Sequence, residues 1–313
     1  MPLSSIEQAP HILRVLDAFL YLTNDQIETL LFAHGVTRTG MPRSPKGAAY
    51  AANTALRRLF DSGYLDRVPV FLPATRHEAV KAHYVNVLSP LGARIIAATL
   101  RDEGRTPRWR RSLLPHPWQP ILHGYWIRQF AVIGRASVQA QGWRWWSWFD
   151  DRQLAALKKE RGAHFSSVPD GFFIVTNPAT GRDQAQFLEI DLGTETVTAR
   201  SPHRIDWQTK MQGYLRYLDD HYRDEFGLEA LPVVLTVTGS ERRLDHLLAA
   251  TAEVGGGGRF WFTTIDALLK DVFTAASEGH EASFLAPVWR VPTSSQLRSL
   301  ASRWSTSNPS IGA

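Results

Sequence analysis

Apolar residues recur at helical spacing from Ile12 to Leu22, which predicts a first helix. Thr23-Asn24-Asp25-Gln26 then supplies a cap with Gln at the third helical position, predicting a second helix from Asp25 to Ala33. After a loop of Gly, Pro, Arg and Ser, Ser44-Pro45 opens a third helix. Its Ala48, Ala52, Ala55, Leu56 and Leu59 share one face, and Gly63 is placed to stop it. Tyr64 to Leu72 and His83 to Leu88 read as two strands, and Ser89-Pro90-Leu91-Gly92 caps a closing helix through Leu100. Helix, helix, helix, hairpin, helix is the order of a winged helix-turn-helix domain, in which the third helix enters a major groove.

The pattern changes beyond Leu100. Arg101 to Pro120 is rich in Arg, Pro and Gly, the composition of a linker. Trp118 to Gln139 reads as a long apolar helix and Trp143 to Phe149 as a bulky strand, whose aromatics suit a core better than stacking on unpaired bases. Strands at Phe172 to Thr176 and Ala185 to Leu192 flank a turn at Asn177 to Arg182. Helix Trp207 to His221, strand Val233 to Thr238, helix Arg242 to Ala252, strand Phe260 to Thr263 and helix Ile265 to Phe273 follow. Gly255 to Gly258 lacks a following Lys-Ser/Thr, so it reads as a connection rather than a phosphate loop.

Helix, strand, hairpin, helix, strand is the order of a restriction-endonuclease-like mixed-sheet core. The expected architecture is therefore a two-domain α+β and α/β protein. Residues 1–105 form the winged helix, 106–120 a basic Pro-rich linker, 121–301 the restriction-endonuclease-like domain and 302–313 a disordered tail.

With 313 residues, 44% of them hydrophobic, and 11 Trp, the chain has enough apolar material for two cores. It has no Cys, which excludes disulfides, thiolate zinc sites and cysteine nucleophiles. No long apolar run predicts a membrane span, and Met1-Pro2-Leu3-Ser4-Ser5 does not open a secretory signal, so a cytoplasmic location is expected. The net charge of +5 is uneven: residues 1–118 hold 15 Lys/Arg against 9 Asp/Glu, and the remainder 20 against 21. A basic first domain beside an acid-bearing second one fits DNA as the partner, double-stranded because the third helix suits a major groove. The candidate contacts are Arg43, Lys46, Asn53, Arg57 and Arg58 around that helix, Arg76 and Lys81 on the wing, and Arg110 and Arg111 in the linker. Asn53 carries the amide suited to adenine.

The acids of the second domain point to chemistry. Asp170 stands at the mouth of an apolar strand, and Glu189 and Asp191 share one face of the next because strand side chains alternate. Three carboxylates within about 5 Å repel by about 3 kcal/mol per pair at an effective dielectric of about 20, so a cation is expected. Mg²⁺ or Mn²⁺ suits such oxygen donors, with Asp170, Glu189 and Asp191 as ligands. The bland alternative has Asp170 capping a turn and the other two paired with Arg200, Arg204 or Lys210. His123, His164 and His203 are scattered and read as structural, and no Gly-x-Ser-x-Gly elbow is present.

The chain resembles the replication-relaxation proteins of plasmids and integrative elements, in which a winged helix precedes a domain similar to PD-(D/E)xK nucleases. The resemblance rests on Tyr21-Leu22-Thr23-Asn24-Asp25-Gln26, Val87-Leu88-Ser89-Pro90-Leu91-Gly92, Pro169-Asp170-Gly171, Glu189-Ile190-Asp191-Leu192-Gly193-Thr194-Glu195, Lys210, Tyr214 and Pro287-Val288-Trp289-Arg290. It implies DNA-associated work in plasmid replication, relaxation or mobilisation, with replication or transfer-complex proteins as partners. Asp170 and Glu189 match the nuclease acids, but Asp191 stands where those enzymes have Lys. Lys210 on the following helix would then supply the missing cation, with Tyr214 four residues on and on the same face.

Two readings follow from this pattern. One is a metal-dependent nuclease or nickase using Asp170, Glu189, Asp191, Lys210 and Tyr214, which the three acids favour. The other is a non-catalytic DNA-binding accessory or regulator, which the displaced lysine favours.

Overall fold

The computed structural model describes residues 8–33, 44–72, 81–118, 121–193, 197, 206–228, 230–269 and 284–305. The chain divides into two units, Met1–Val132 and Ile133–Ala313.

In the first unit, α1 (Ala9–Phe19) buries Ile12, Leu13, Val15, Leu16 and Phe19. The predicted helix does not run on to Leu22. Leu20 takes φ +66°, and Tyr21–Leu22 becomes strand β1. Thr23 caps α2 (Asn24–Leu31) in a reciprocal capping box with Gln26, as its spacing predicts. The Ser44 hydroxyl accepts from the Gly47 amide to cap α3 (Pro45–Asp61), which buries the five apolar positions read from the sequence. β2 (Leu65–Leu72) and β3 (Lys81–Leu88) pair antiparallel, and β1 adds to β3, giving the order β1-β3-β2. Ser89 caps α4 (Pro90–Asp102) and also donates its hydroxyl to the Gly63 carbonyl.

The expected linker is, over residues 106–118, part of the first unit. Buried Asp17 accepts the amides of Arg108 and Trp109, and the amides of Trp118 and Ile121 donate to the carbonyls of Pro69 and Phe71. Those backbone bonds cover the outer edge of β2. The division into units falls at Val132, inside α5 (Leu122–Ala140), rather than at the predicted boundary of 120.

The second unit is built on a seven-stranded mixed sheet ordered β10-β9-β8-β7-β6-β5-β4. Its strands are β4 (Arg144–Asp150), β5 (Gly171–Asn177), β6 (Arg182–Asp191), β7 (Val233–Thr238), β8 (Phe260–Thr264), β9 (Trp289–Val291) and β10 (Ser294–Arg298). β6 to β7 and β7 to β8 are parallel and the other pairings antiparallel. Around them lie α6 (Asp151–Arg161), α7 (Trp207–Asp220), α8 (Tyr222–Phe226), α9 (Glu241–Glu253), α10 (Ile265–Leu269) and α11 (Leu300–Ser305).

One face of the sheet packs Phe172, Phe187, Val234 and Phe262 against Leu154 of α6, Trp207, Met211 and Tyr214 of α7 and Leu244 and Leu247 of α9. On the other, Trp145 stacks on Phe173 with centroids 4.2 Å apart, and Trp145 and Trp148 are core. Gly134 of α5 permits that stack, because a Cβ there would meet the Trp145 and Phe284 rings at 2.7 and 2.8 Å. Trp304 of α11 is 1% exposed, so residues 302–305 of the expected disordered tail are helix; residues 306–313 lie outside those described. No described helix is long and apolar enough to cross a membrane.

Candidate functional site

The pairing of β5 with β6 sets Gly171 opposite Leu188 and Phe172 opposite Phe187. By alternation, Asp170 and Glu189 then face one another on the side carrying Phe172 and Phe187. The Asp170 amide donates to the Leu188 carbonyl at 3.1 Å, and its Oδ2 accepts the Ile190 amide at 2.7 Å. The side chain thus closes the ladder where the strands end.

Glu189 is 1% exposed and sits between two donors from α7. Lys210 Nζ lies 2.6 Å from its Oε2, and the Tyr214 hydroxyl donates to its Oε1. Lys210 and Tyr214 are one helical turn apart, so the spacing read from sequence brings both to the same carboxylate. Burial pushes the Glu189 carboxyl up to about 8; the Asp170 charge adds to the rise, while Lys210 and Tyr214 oppose it. The ion pair favours the charged form and desolvation the neutral one, and burial is the larger effect.

Asp191, 4% exposed, turns to different partners. Its Oδ2 accepts from Arg243 Nη2 at 2.6 Å and Nε at 3.2 Å, and its Oδ1 accepts the Gly193 amide at 2.6 Å. Gly193, at φ +81°, allows the tight turn that brings this amide back. The expected convergence of Asp170, Glu189 and Asp191 on one ion is therefore corrected. Asp191 is neutralised by an arginine fork, Glu189 by a lysine. Among the described residues, no group of three or more His, Cys, Asp or Glu side chains is placed to hold a metal.

As arranged, the donor set does not fit Mg²⁺ or Mn²⁺, because the Glu189 and Asp191 oxygens already accept protein donors. Arg200 and Arg204, the other partners considered from sequence, lie outside the described residues, as does His203. His164 bonds Glu225 at 2.7 Å and stacks on His221 at 4.2 Å, a structural placement.

The sequence reading missed Arg243. Its signal was the order of the elements: β6 and β7 are parallel with Asp191 level with Thr238, and α9 starts just past the end of β7. In such a sheet the following helix begins at the carboxyl ends of the strands, where Asp191 stands. Thr236 and Thr238, level with Glu189 and Asp191, were missed too. Their hydroxyls are buried with no hydrogen-bond partner among the described residues.

On the first unit, the outward face of α3 displays Lys46, Asn53, Arg57 and Arg58, all exposed. Arg57 makes only a loose 3.7 Å pair with Asp61. Asn53 Oδ1 accepts from Asn24 Nδ2 at 2.7 Å. Tyr50, 75% exposed on that face, is a further candidate the sequence reading passed over. Arg110 and Arg111 are exposed, and Arg111 opens a short 3-10 turn. Arg43 and Arg76 lie outside the described residues, as does the Lys81 side chain.

These features meet a family signature. The replication-relaxation family matches residues 13–229, and the chain belongs to that family. No curated protein matches it. Among solved structures, the restriction endonuclease FokI matches both alone and bound to DNA. Each shares 10% identity over 88% of this chain; coverage of FokI is 71% and 70%, with TM-scores of 0.25 and 0.24. A likeness of that size carries no argument about fold or chemistry.

Proposed function

We propose that the chain is a DNA-binding accessory protein of plasmid or mobile-element replication, relaxation or mobilisation, acting with replication or transfer-complex proteins. Its first unit is a winged helix-turn-helix that lays α3 in the major groove of duplex DNA. Its second unit is a restriction-endonuclease-like domain whose acids are neutralised from within. The observation that carries the reading is the division of α3, whose apolar face is fully used in the core while Lys46, Tyr50, Arg57 and Arg58 stand outside, Arg57 with no more than a loose pair to Asp61, beside an exposed Asn53 bonded to Asn24.

One observation favours a second reading. Asp170 and Glu189 face one another with Lys210 on Glu189, two acids and a lysine as in a nuclease site. A metal-dependent nuclease or nickase would need Lys210 to leave Glu189 so that Mg²⁺ or Mn²⁺ could take its place.

Supercoiled plasmid incubated with the protein and either ion separates the two. The accessory reading expects a shifted but uncut plasmid. Nicking by the native chain that Asp170→Ala and Glu189→Ala both abolish would establish the nuclease instead. Arg57→Glu with Arg58→Glu should weaken binding at least tenfold and reduce its salt slope by about 2. An unchanged affinity and slope would remove α3 from the interface.

A further inference from the structure

We infer that Asn24, held by the buried Asn86, fixes the direction in which Asn53 reads a base, presenting a donor to an acceptor edge; this rests on the proposal that α3 enters a major groove. The relay begins at a backbone carbonyl. Leu22 and Asn86 are level in the β1–β3 pairing, and Asn86, 1% exposed, directs Nδ2 at the Leu22 carbonyl at 3.4 Å. A carbonyl oxygen only accepts, so the Asn86 amide turns its nitrogen toward it and leaves its own Oδ1 buried without a partner among the described residues. The same nitrogen donates to Asn24 Oδ1 at 2.8 Å. Turning the Asn86 amide over would set oxygen against oxygen at Leu22.

With its oxygen taken, Asn24 has only nitrogen to offer on its other side. Asn24 Nδ2 donates to Asn53 Oδ1 at 2.7 Å. Asn53 Nδ2 is left outward, with no hydrogen-bond partner among the described residues on an exposed side chain. Three amides thus pass one orientation from a strand carbonyl to the surface of α3. Asn is also a weak helix former, so its place in the middle of an exposed helix face calls for a reason beyond helix stability.

The consequence is a base preference. A bidentate adenine contact needs the oxygen and nitrogen of the amide together, which the bond from Asn24 disfavours. That replaces the adenine expectation drawn from sequence. An outward Nδ2 instead donates to guanine O6 or N7, which lie side by side, or to thymine O4; adenine offers N7 beside the like donor of its amino group, and cytosine offers a like donor alone. Asn24 is here a positioning residue and Asn53 the contact.

The polarity of the relay makes the test sharp. In Asn24→Asp the carboxylate still accepts from Asn86 but no longer donates to Asn53. The Asn53 amide then turns its nitrogen inward and its oxygen out. Selection of bound duplexes from a randomised pool by the native chain should show one position favouring guanine or thymine about fivefold to tenfold. Asn24→Asp should invert it toward adenine or cytosine, and Asn24→Ala and Asn53→Ala should erase it, with other positions unchanged.

The extra negative charge of Asn24→Asp lowers affinity for every sequence alike, so the ratio between bases at one position is unaffected. An Asn24→Asp chain that melts with the native protein yet keeps the native preference overturns the inference. If that variant melts early, Asn24→Ala decides: a retained preference overturns the inference and an erased one supports it. Binding without any preference at such a position also overturns it and leaves the DNA-binding reading standing. A native chain that binds no duplex overturns both.

Discussion

Glu189 concentrates the electrostatics of the second unit in one residue. A carboxyl 1% exposed beside Asp170 would be costly as a lone anion, and Lys210 and Tyr214 are what make it tolerable. Lys210→Met should cost about 3–5 kcal/mol above about pH 8, where the buried carboxylate is charged and loses its cation, and less below it, where the carboxyl holds its proton. A urea titration measures that loss. The pH dependence follows from the upward shift. The folded carboxyl keeps its proton to about 8, while the unfolded one releases it around the ordinary 4.5. Between those values the folded state binds more protons, so its stability is full below the lower one and declines as pH rises toward the upper one. Melting curves through that window should show the decline in the native protein and its loss in Glu189→Gln. In Lys210→Met the decline should run to higher pH, since the cation that lowers the carboxyl pKa is gone. A Glu189→Gln chain with the native pH profile would assign the decline to another group.

At the scale of elements, the turns and caps that shape the first unit make their own prediction. Gly92 sits in the first turn of α4, where a Cβ would lie 2.1 Å from the Tyr64 carbonyl oxygen. That oxygen is backbone and also accepts the Ser89 amide, so it cannot swing aside. Gly92→Ala should cost about 3 kcal/mol or more, whereas Gly47→Ala, which meets only the Ser44 hydroxyl at 3.2 Å, should cost far less. Equal melting temperatures for the two would contradict this packing.

The same elements show what was legible beforehand. The Thr23 and Ser44 caps, the buried face of α3 and strand β7 were written locally, in capping residues and periodicity, and those are signals a sequence carries without its partners. β1 was hidden because its two residues extend an apolar helical run, and only pairing with β3 makes them strand. α6 was passed over because its polar sequence offers little periodic signal. α11 was lost in a Ser-rich stretch whose Trp304 has meaning only beside Trp143 and Phe284. At the site, Glu189 with Lys210 and Tyr214 was readable because helix spacing brings the latter two together. The pairing of Asp191 with Arg243 depended on which strand lies next to β6, and no local pattern states that.

For the whole molecule, the extent of the family match sets up a test of cooperativity. The match ends at residue 229, before β7, yet β6 cannot stand as an edge. β6 is buried from Gln184 onward, and β7 pairs it from Gln186 to Asp191. The segment beyond 229 also supplies Arg243 to Asp191, Thr251 to the Trp207 indole and Phe262 to the core around it. A chain ending at Leu228 would expose Phe187 and Leu188 along an unpaired strand and strand the Asp191 carboxylate without its cation. The first unit keeps its own core of α1, α3, α4 and the three-stranded sheet under this truncation. Calorimetry of the truncated chain should therefore lose the transition of the second unit and retain that of the first, with aggregation driven by the bared strand. Two native transitions in the shortened chain would mean that α7 and β4 to β6 stabilise each other without β7, and the second unit would then be a smaller folding unit than its seven-stranded sheet implies.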